Sequence, residues 1–265
     1  MTCWGSNSDG QLDATLEEFT QVSAGGAHTC ALLVDGTLDC WGSDVNDQAT
    51  PPEGTFTSVS AGDSHTCGVR TDGSAACWGL NDFGQSTPLA GYFTHVSAGG
   101  QHSCGLQSNG LLACWGRNHL GQATPPEGLF TQVSAGYGYT CAVQSDGKLA
   151  CWGNDDVNQS HPPAGSFRQR RVSSGYDHSC GLRADGTILC WGTNSFGQLN
   201  APAGTFNQLS AGYYHNCALA TDGTVTCWGR DNYQQLVPPV HSPGDFIGLS
   251  AGANHTCGLK KDGTL

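Results

Sequence analysis

The chain has 265 residues, 22 acidic against 10 basic side chains, and a formal net charge of −12. That balance speaks against nucleic acid as a partner, because gripping a phosphate backbone takes clustered Lys and Arg, and the one basic cluster is Arg168, Arg170 and Arg171. Only 37% of residues are hydrophobic, no apolar run approaches the length of a bilayer span, and no charged-then-apolar segment stands at the start, so neither membrane insertion nor a signal peptide is expected.

The chain opens on Thr2-Cys3-Trp4-Gly5, which reads as the last strand of a β-hairpin. Gln11 follows, then Phe19, Ser23-Ala24-Gly25 and His28-Thr29-Cys30. Two alternating runs, His28 to Leu33 and Thr37 to Trp41, flank Asp35-Gly36, a strong short-range hairpin signal. The second run ends on Cys40-Trp41-Gly42, and the whole pattern starts again. Cys-Trp-Gly recurs at Trp78, Trp115, Trp152, Trp191 and Trp228, in steps of 37 residues with a single step of 39. Ser173-Ser174-Gly175 is the one variant of Ser-Ala-Gly, and Tyr139 replaces the histidine in the fourth unit. No segment carries a sustained 3.6-residue period, so helix is not expected. The last residues, Asp262-Gly263-Thr264-Leu265, read as a hairpin still lacking its returning strand. The two ends are therefore complementary. The fold expected is all-β: one seven-bladed β-propeller domain over residues 1–265, its ring closed by the N-terminal strand completing the last blade. A solenoid would need polar capping units, and none is visible; radial repetition protects the sheet edges.

Fourteen cysteines fall into seven pairs. If Val34-Asp35-Gly36 forms a three-residue loop with Gly36 left-handed, Leu33 faces Thr37, Leu32 faces Leu38 and Cys30 faces Cys40. That last pair sits on a non-hydrogen-bonded site, where Cα atoms approach to about 4.5 Å, a distance suited to a disulfide. The expected bridges are Cys30–Cys40, Cys67–Cys77, Cys104–Cys114, Cys141–Cys151, Cys180–Cys190, Cys217–Cys227 and, across the closure, Cys3–Cys257. Zinc is disfavoured, because ligand pairs converge at shorter spacings. An even count in matched pairs points to a secreted, extracellular or periplasmic home.

Six histidines, His28, His65, His102, His178, His215 and His255, hold one repeat position. A residue present in nearly every unit serves the unit, and each is expected to bond backbone inside its own blade rather than act as a metal ligand or base. Neither a nucleophile elbow nor a phosphate loop nor a zinc-protease motif occurs, so no catalytic residue and no cofactor is expected.

The run Cys-Trp-Gly-x-Asn-x-x-Gly-Gln, then Ser-Ala-Gly-x-x-His-x-Cys-x-Leu, then Asp-Gly, resembles the regulator-of-chromosome-condensation repeat over the whole chain, and the resemblance implies a seven-bladed propeller. The short unit and the Gln-x-x-x-Pro stretch, as in Gln122 to Pro126, resemble bacterial secreted members, among them a β-lactamase-inhibiting propeller that covers its target with one face. Paired cysteines depart from that inhibitor and from the nuclear members. Acidity and disulfides also count against carrying over the nuclear archetype's role as a nucleotide exchange factor on chromatin. Function belongs where the repeats differ. The two positions before each histidine read Gly26-Ala27, Asp63-Ser64, Gly100-Gln101, Tyr137-Gly138, Tyr176-Asp177, Tyr213-Tyr214 and Ala253-Asn254. A second variable position follows each tryptophan: Asp9, Asn46, Phe83, Leu120, Val157, Phe196 and Tyr233. By resemblance to the inhibitor-like members, a protein partner would dock on Tyr137, Tyr176, Asp177, Phe196, Tyr213, Tyr214 and Tyr233. Tyrosine supplies interface area at low entropic cost. A glycan-binding lectin and a structural or adhesive unit of an extracellular assembly are the alternatives; the variability of these positions weakens the lectin.

Overall fold

The computed structural model of the chain describes residues 1–239 and 244–261, the side chains of residues 168–170 excepted. The side chains of Arg168 and Arg170 of the basic cluster, and the residues Asp262 to Leu265, lie outside what is described. Seven three-stranded antiparallel sheets form the blades of a propeller. Blade 1 comprises Phe19–Ala24, His28–Leu33 and Leu38–Gly42. Blades 2 and 3 run Phe56–Ala61, His65–Arg70, Ala75–Gly79 and Phe93–Ala98, His102–Gln107, Leu112–Gly116. Blade 4 holds Phe130–Ala135, Tyr139–Gln144 and Leu149–Gly153, and blade 5 holds Phe167–Ser174, His178–Arg183 and Ile188–Gly192. Blade 6 holds Phe206–Ala211, His215–Ala220 and Val225–Gly229. Blade 7 joins Phe246–Ala251 and His255–Lys260 to the N-terminal strand Thr2–Gly5, so the ring closes as expected.

The hairpin register is the one its turn dictates. Gly36 has φ +86°, Leu33 N–H donates to the Thr37 carbonyl at 2.9 Å, and Cys30 lies opposite Cys40. All seven disulfides form with Cα separations of 4.0–4.1 Å, Cys3–Cys257 across the closure included, and no cysteine is free. Thr37 falls in the turn, its N–H and hydroxyl both donating to the Asp35 carboxylate. The first strand of each blade is an addition to the sequence reading, which marks its Phe and Ser-Ala-Gly as landmarks without assigning a strand. In Phe19-Thr20-Gln21-Val22-Ser23-Ala24 the side chains Phe19, Val22 and Ala24 are buried, and a bulge between Phe19 and Gln21 shifts the register. The core lies between blades: Cys30 and Leu32 of blade 1 pack on Phe56, Val59 and Trp78 of blade 2. Full burial of one such Phe or Val is worth about 1.5–3 kcal/mol, repeated around the ring.

Three circuits of hydrogen bonds join neighbouring blades. Each Ser of Ser-Ala-Gly accepts from the Ala or Ser N–H of the next blade at 2.9–3.0 Å, as Ser23 does from Ala61, and Ser250 closes the circuit onto Ala24. A backbone circuit runs beside it, from Gly26 N–H to the Gly62 carbonyl around to Ala253 N–H on Gly25. The third circuit corrects the expectation for the histidines. Their Nε2 atoms meet side chains of the following blade, not backbone of their own: His28 to Thr66, His65 to Ser103, His102 to Thr140, His178 to Asn216, His215 to Thr256 and His255 to Thr29, at 2.7–2.9 Å. A pattern read along one chain shows which residue recurs, but not what the next blade brings against it.

Candidate functional site

The two variable sets share one face because of the register. His28 pairs with Gly42, so residues before His28 and after Gly42 leave the same end of the hairpin. Ser43 N–H donates to the Ala27 carbonyl at 2.8 Å, and the equivalent bond recurs in all seven blades. The loop after each tryptophan is pinned from within: the Gln11 carbonyl accepts from Trp41 Nε1 at 2.9 Å and Thr29 Oγ1 at 3.0 Å, while Gln11 Oε1 takes the Asp9 N–H. These repeated Trp, Gln and Thr groups hold a face on which the variable side chains stand.

On blades 4 to 6 that face is aromatic. Tyr137 and Tyr176 stack at 4.1 Å, and Tyr213 meets both edge-on. Tyr214 contacts Tyr176 and Tyr213, and Phe196 joins through Tyr214 at 5.4 Å. Arg230 lies over both Phe196 and Tyr214, at 5.2 and 5.6 Å from the ring centroids. Such contacts add about 0.5–1 kcal/mol each at exposed positions. Five of the seven residues named from the sequence thus form one connected cluster. Asp177 lies beside it, its carboxyl pushed up by burial and then by the nearby charge of Asp156. Tyr233 stands apart, half-exposed and without a ring contact among the described residues.

Tyr213 reaches further. Its hydroxyl donates to the Asp63 carboxylate of blade 2, across a central opening of about 410 Å³ lined mostly by Ala and Gly, with Asp63, Tyr137 and Tyr213 themselves on its wall. Burial raises the pKa of Asp63, and burial together with the Asp63 charge raises that of Tyr213. Burial, then the neighbouring Tyr137 and Tyr214, pushes Tyr176 up to about 12, so Tyr176 is a neutral phenol at ordinary pH. Asp63 and Arg230 are not among the docking residues expected from the sequence. Asp63 stands within the variable pairs, yet its partner lies across the ring; Arg230 follows Trp228-Gly229, three residues before the position compared at Tyr233.

Beside the stacked tyrosines, a cleft of about 740 Å³ opens over Gly138, lined among others by Arg117, Leu120, Asp156 and Asp177. No group of three or more His, Cys, Asp or Glu suited to holding a metal occurs among the described residues. Among the described residues, no helix is long and apolar enough to cross a membrane.

The regulator of chromosome condensation (RCC1) repeat matches residues 19–48, 56–85, 93–122, 130–159, 170–198 and 206–235. No curated protein sequence gives a significant match. Among solved structures, the ectodomain of the Physcomitrella patens receptor kinase CR4 aligns with 26% identity and a TM-score of 0.78, covering 94% of this chain and 73% of that one. The CRINKLY WD40 ectodomain of the Arabidopsis thaliana receptor kinase ACR4 aligns with 28% identity and a TM-score of 0.73, covering 93% and 92%. Prp20p from Saccharomyces cerevisiae, whose structure was described with its binding to Gsp1p and histones, shares the fold at 16% identity, with a TM-score of 0.81 and coverage of 98% and 92%.

Proposed function

The chain belongs to the RCC1 repeat family, and from that premise we propose a secreted, non-catalytic module that engages a protein partner through the tyrosine-rich face of blades 4 to 6. The observation that carries this reading is the connected cluster of Tyr137, Tyr176, Tyr213, Tyr214 and Phe196, with Arg230 laid over its rim. Tyr and Arg are the residues on which interface energy concentrates, and a pre-packed cluster loses little freedom on docking. Tyr233 sits on the same face as a peripheral contact. Seven disulfides support an extracellular or periplasmic setting, and so does the likeness to two receptor ectodomains.

The test compares the wild type with the double variant Phe196→Ala, Tyr214→Ala in capture of proteins from the extracellular fluid of the source. Loss of one captured species by the variant, with all seven bridges intact by mass, supports the reading. Equal capture by both overturns it, and binding confined to a glycan array would replace it with the lectin.

A further inference from the structure

Besides Tyr139 in place of the histidine, blade 4 lacks a side chain at the position before it. Where the other six carry Ala27, Ser64, Gln101, Asp177, Tyr214 and Asn254 just before the histidine, it carries Gly138. Neither backbone nor crowding requires a glycine there. Gly138 is absent from the residues of positive φ, and an added Cβ would meet nothing nearer than Asn154 Cβ at 3.8 Å. The absent side chain leaves room on the cleft that Gly138 lines.

The lining of the cleft sets its chemistry. One wall is the Tyr137–Tyr176 stack. Asp156 and Asp177 line it too, close enough for the charge of one to disfavour ionisation of the other, and neither has an ion-pair partner among the described residues. Arg117, on the cleft as well, is already engaged: Nη1 donates to Gln101 Oε1, Nε donates to His119 Nδ1 at 2.9 Å, and its guanidinium lies over Phe83. Arg117 keeps its charge, but its fork is turned to these neutral partners, so two carboxylates without an ion pair face one cation beside an aromatic wall, and a second planar cation can meet the carboxylates and the ring together. We infer that the cleft over Gly138 receives an arginine side chain of the protein partner, its guanidinium laid against Tyr176 and hydrogen-bonded to Asp156 and Asp177. This rests on the protein-binding reading above. Arginine fits better than lysine because its flat fork serves a ring face and carboxylates together.

The probe is capped arginine, N-acetyl-arginine-N-methylamide, titrated into the isotope-labelled full chain while backbone amide shifts are followed. Saturable shifts centred on Gly138, Tyr176 and Asp177 are expected. Capped citrulline, its neutral isostere, should bind about tenfold more weakly or worse, and Asp177→Asn should weaken arginine by a similar factor. Gly138→Leu should abolish the response while retaining all seven bridges. Absence of saturable shifts, equal binding of citrulline, or full binding by Gly138→Leu overturns the inference. Failure of the cleft leaves partner capture sensitive to the Phe196→Ala, Tyr214→Ala pair. Failure of the docking face leaves the arginine titration positive and capture indifferent to that pair, and the arginine would then have no protein partner to come from.

Discussion

At the scale of single residues, the repeated side chains are explained by what the next blade places against them. Thr66 Oγ1 donates to the Gln48 carbonyl, which can only accept, so His28 must be the donor through Nε2–H. The ring is thereby fixed as the neutral tautomer with Nδ1 bare, and that atom has no partner in any of the six histidines. Burial holds their pKa values near 4 for His28, His102 and His178, and near 3 for His65, His215 and His255. An unfolded histidine titrates near 6.5, so between pH 6.5 and about 4 the unfolded chain binds more protons than the folded one. The stabilisation is whole above pH 6.5 and is lost as pH falls through the folded values, by up to about 1.4 kcal/mol per histidine per pH unit. Denaturant titrations at stepped pH should therefore show a steep loss of stability below 6.5, with uptake of close to six protons; a flat profile down to pH 4.5 would contradict it. Glycines give a sharper contrast. A Cβ on Gly212 would lie 2.2 Å from the Gly252 carbonyl oxygen and 2.5 Å from His215 Cε1, whereas one on Gly138 meets only ordinary contacts, the nearest at 3.8 Å. Gly212→Ala should cost about 3 kcal/mol or more, and Gly138→Ala well under 1 kcal/mol, in denaturant midpoints measured with the disulfides intact.

At the scale of elements, the junction of blades 4 and 5 shows two departures from the repeat acting together. Tyr139 donates its hydroxyl to the His178 carbonyl, and its oxygen lies 2.8 Å from Ser179 Oγ. Ser179 in turn donates to Ser174, which stands where the other blades have Ala. Tyr139→Phe removes a donor from a fully buried site and leaves the His178 carbonyl without it; a loss of about 1–3 kcal/mol is expected. Tyr139→Phe with Ser174→Ala should cost less than the sum of the two single changes if the serines belong to one network. This coupling was not legible in the sequence, where Tyr139 and Ser174 appear as separate exceptions. The hairpins were legible, because Asp-Gly fixes the register and the register sets Cys30 against Cys40. The face was legible because both variable sets leave one hairpin end. The reach of Tyr213 to Asp63, the clasp of Arg230 and the opening over Gly138 were not, since each depends on another blade.

At the scale of the whole molecule, the ring is closed twice, by bonds of different kinds. Ala253 to Gly25, Ser250 to Ala24 and His255 to Thr29 continue the inter-blade circuits through the join of blades 7 and 1 without a gap. Within blade 7, the Thr2–Gly5 strand is stapled to its neighbour by Cys3–Cys257, over a sequence separation of 254, against 10 for every other bridge. Both kinds of bridge have the same local geometry, so their difference in stabilisation lies in the unfolded chain. Chain entropy gives about 3 kcal/mol for a short loop and about 5 kcal/mol for the long one. Replacing Cys3 and Cys257 by serine should therefore cost about 2 kcal/mol more than the same change at Cys104 and Cys114, read as the gap between two denaturant midpoints in the same buffer. The long bridge should also govern a local event that the short ones do not. Without it, the N-terminal strand is held by hydrogen bonds and by Trp4 against Phe246 and Leu249, so that strand can detach before the ring opens. Hydrogen exchange should then quicken first in Thr2–Gly5 and His255–Lys260, with blades 2 to 4 unchanged. Uniform quickening in all seven blades would instead mean that the propeller opens as one unit, with the disulfide acting only through the unfolded state.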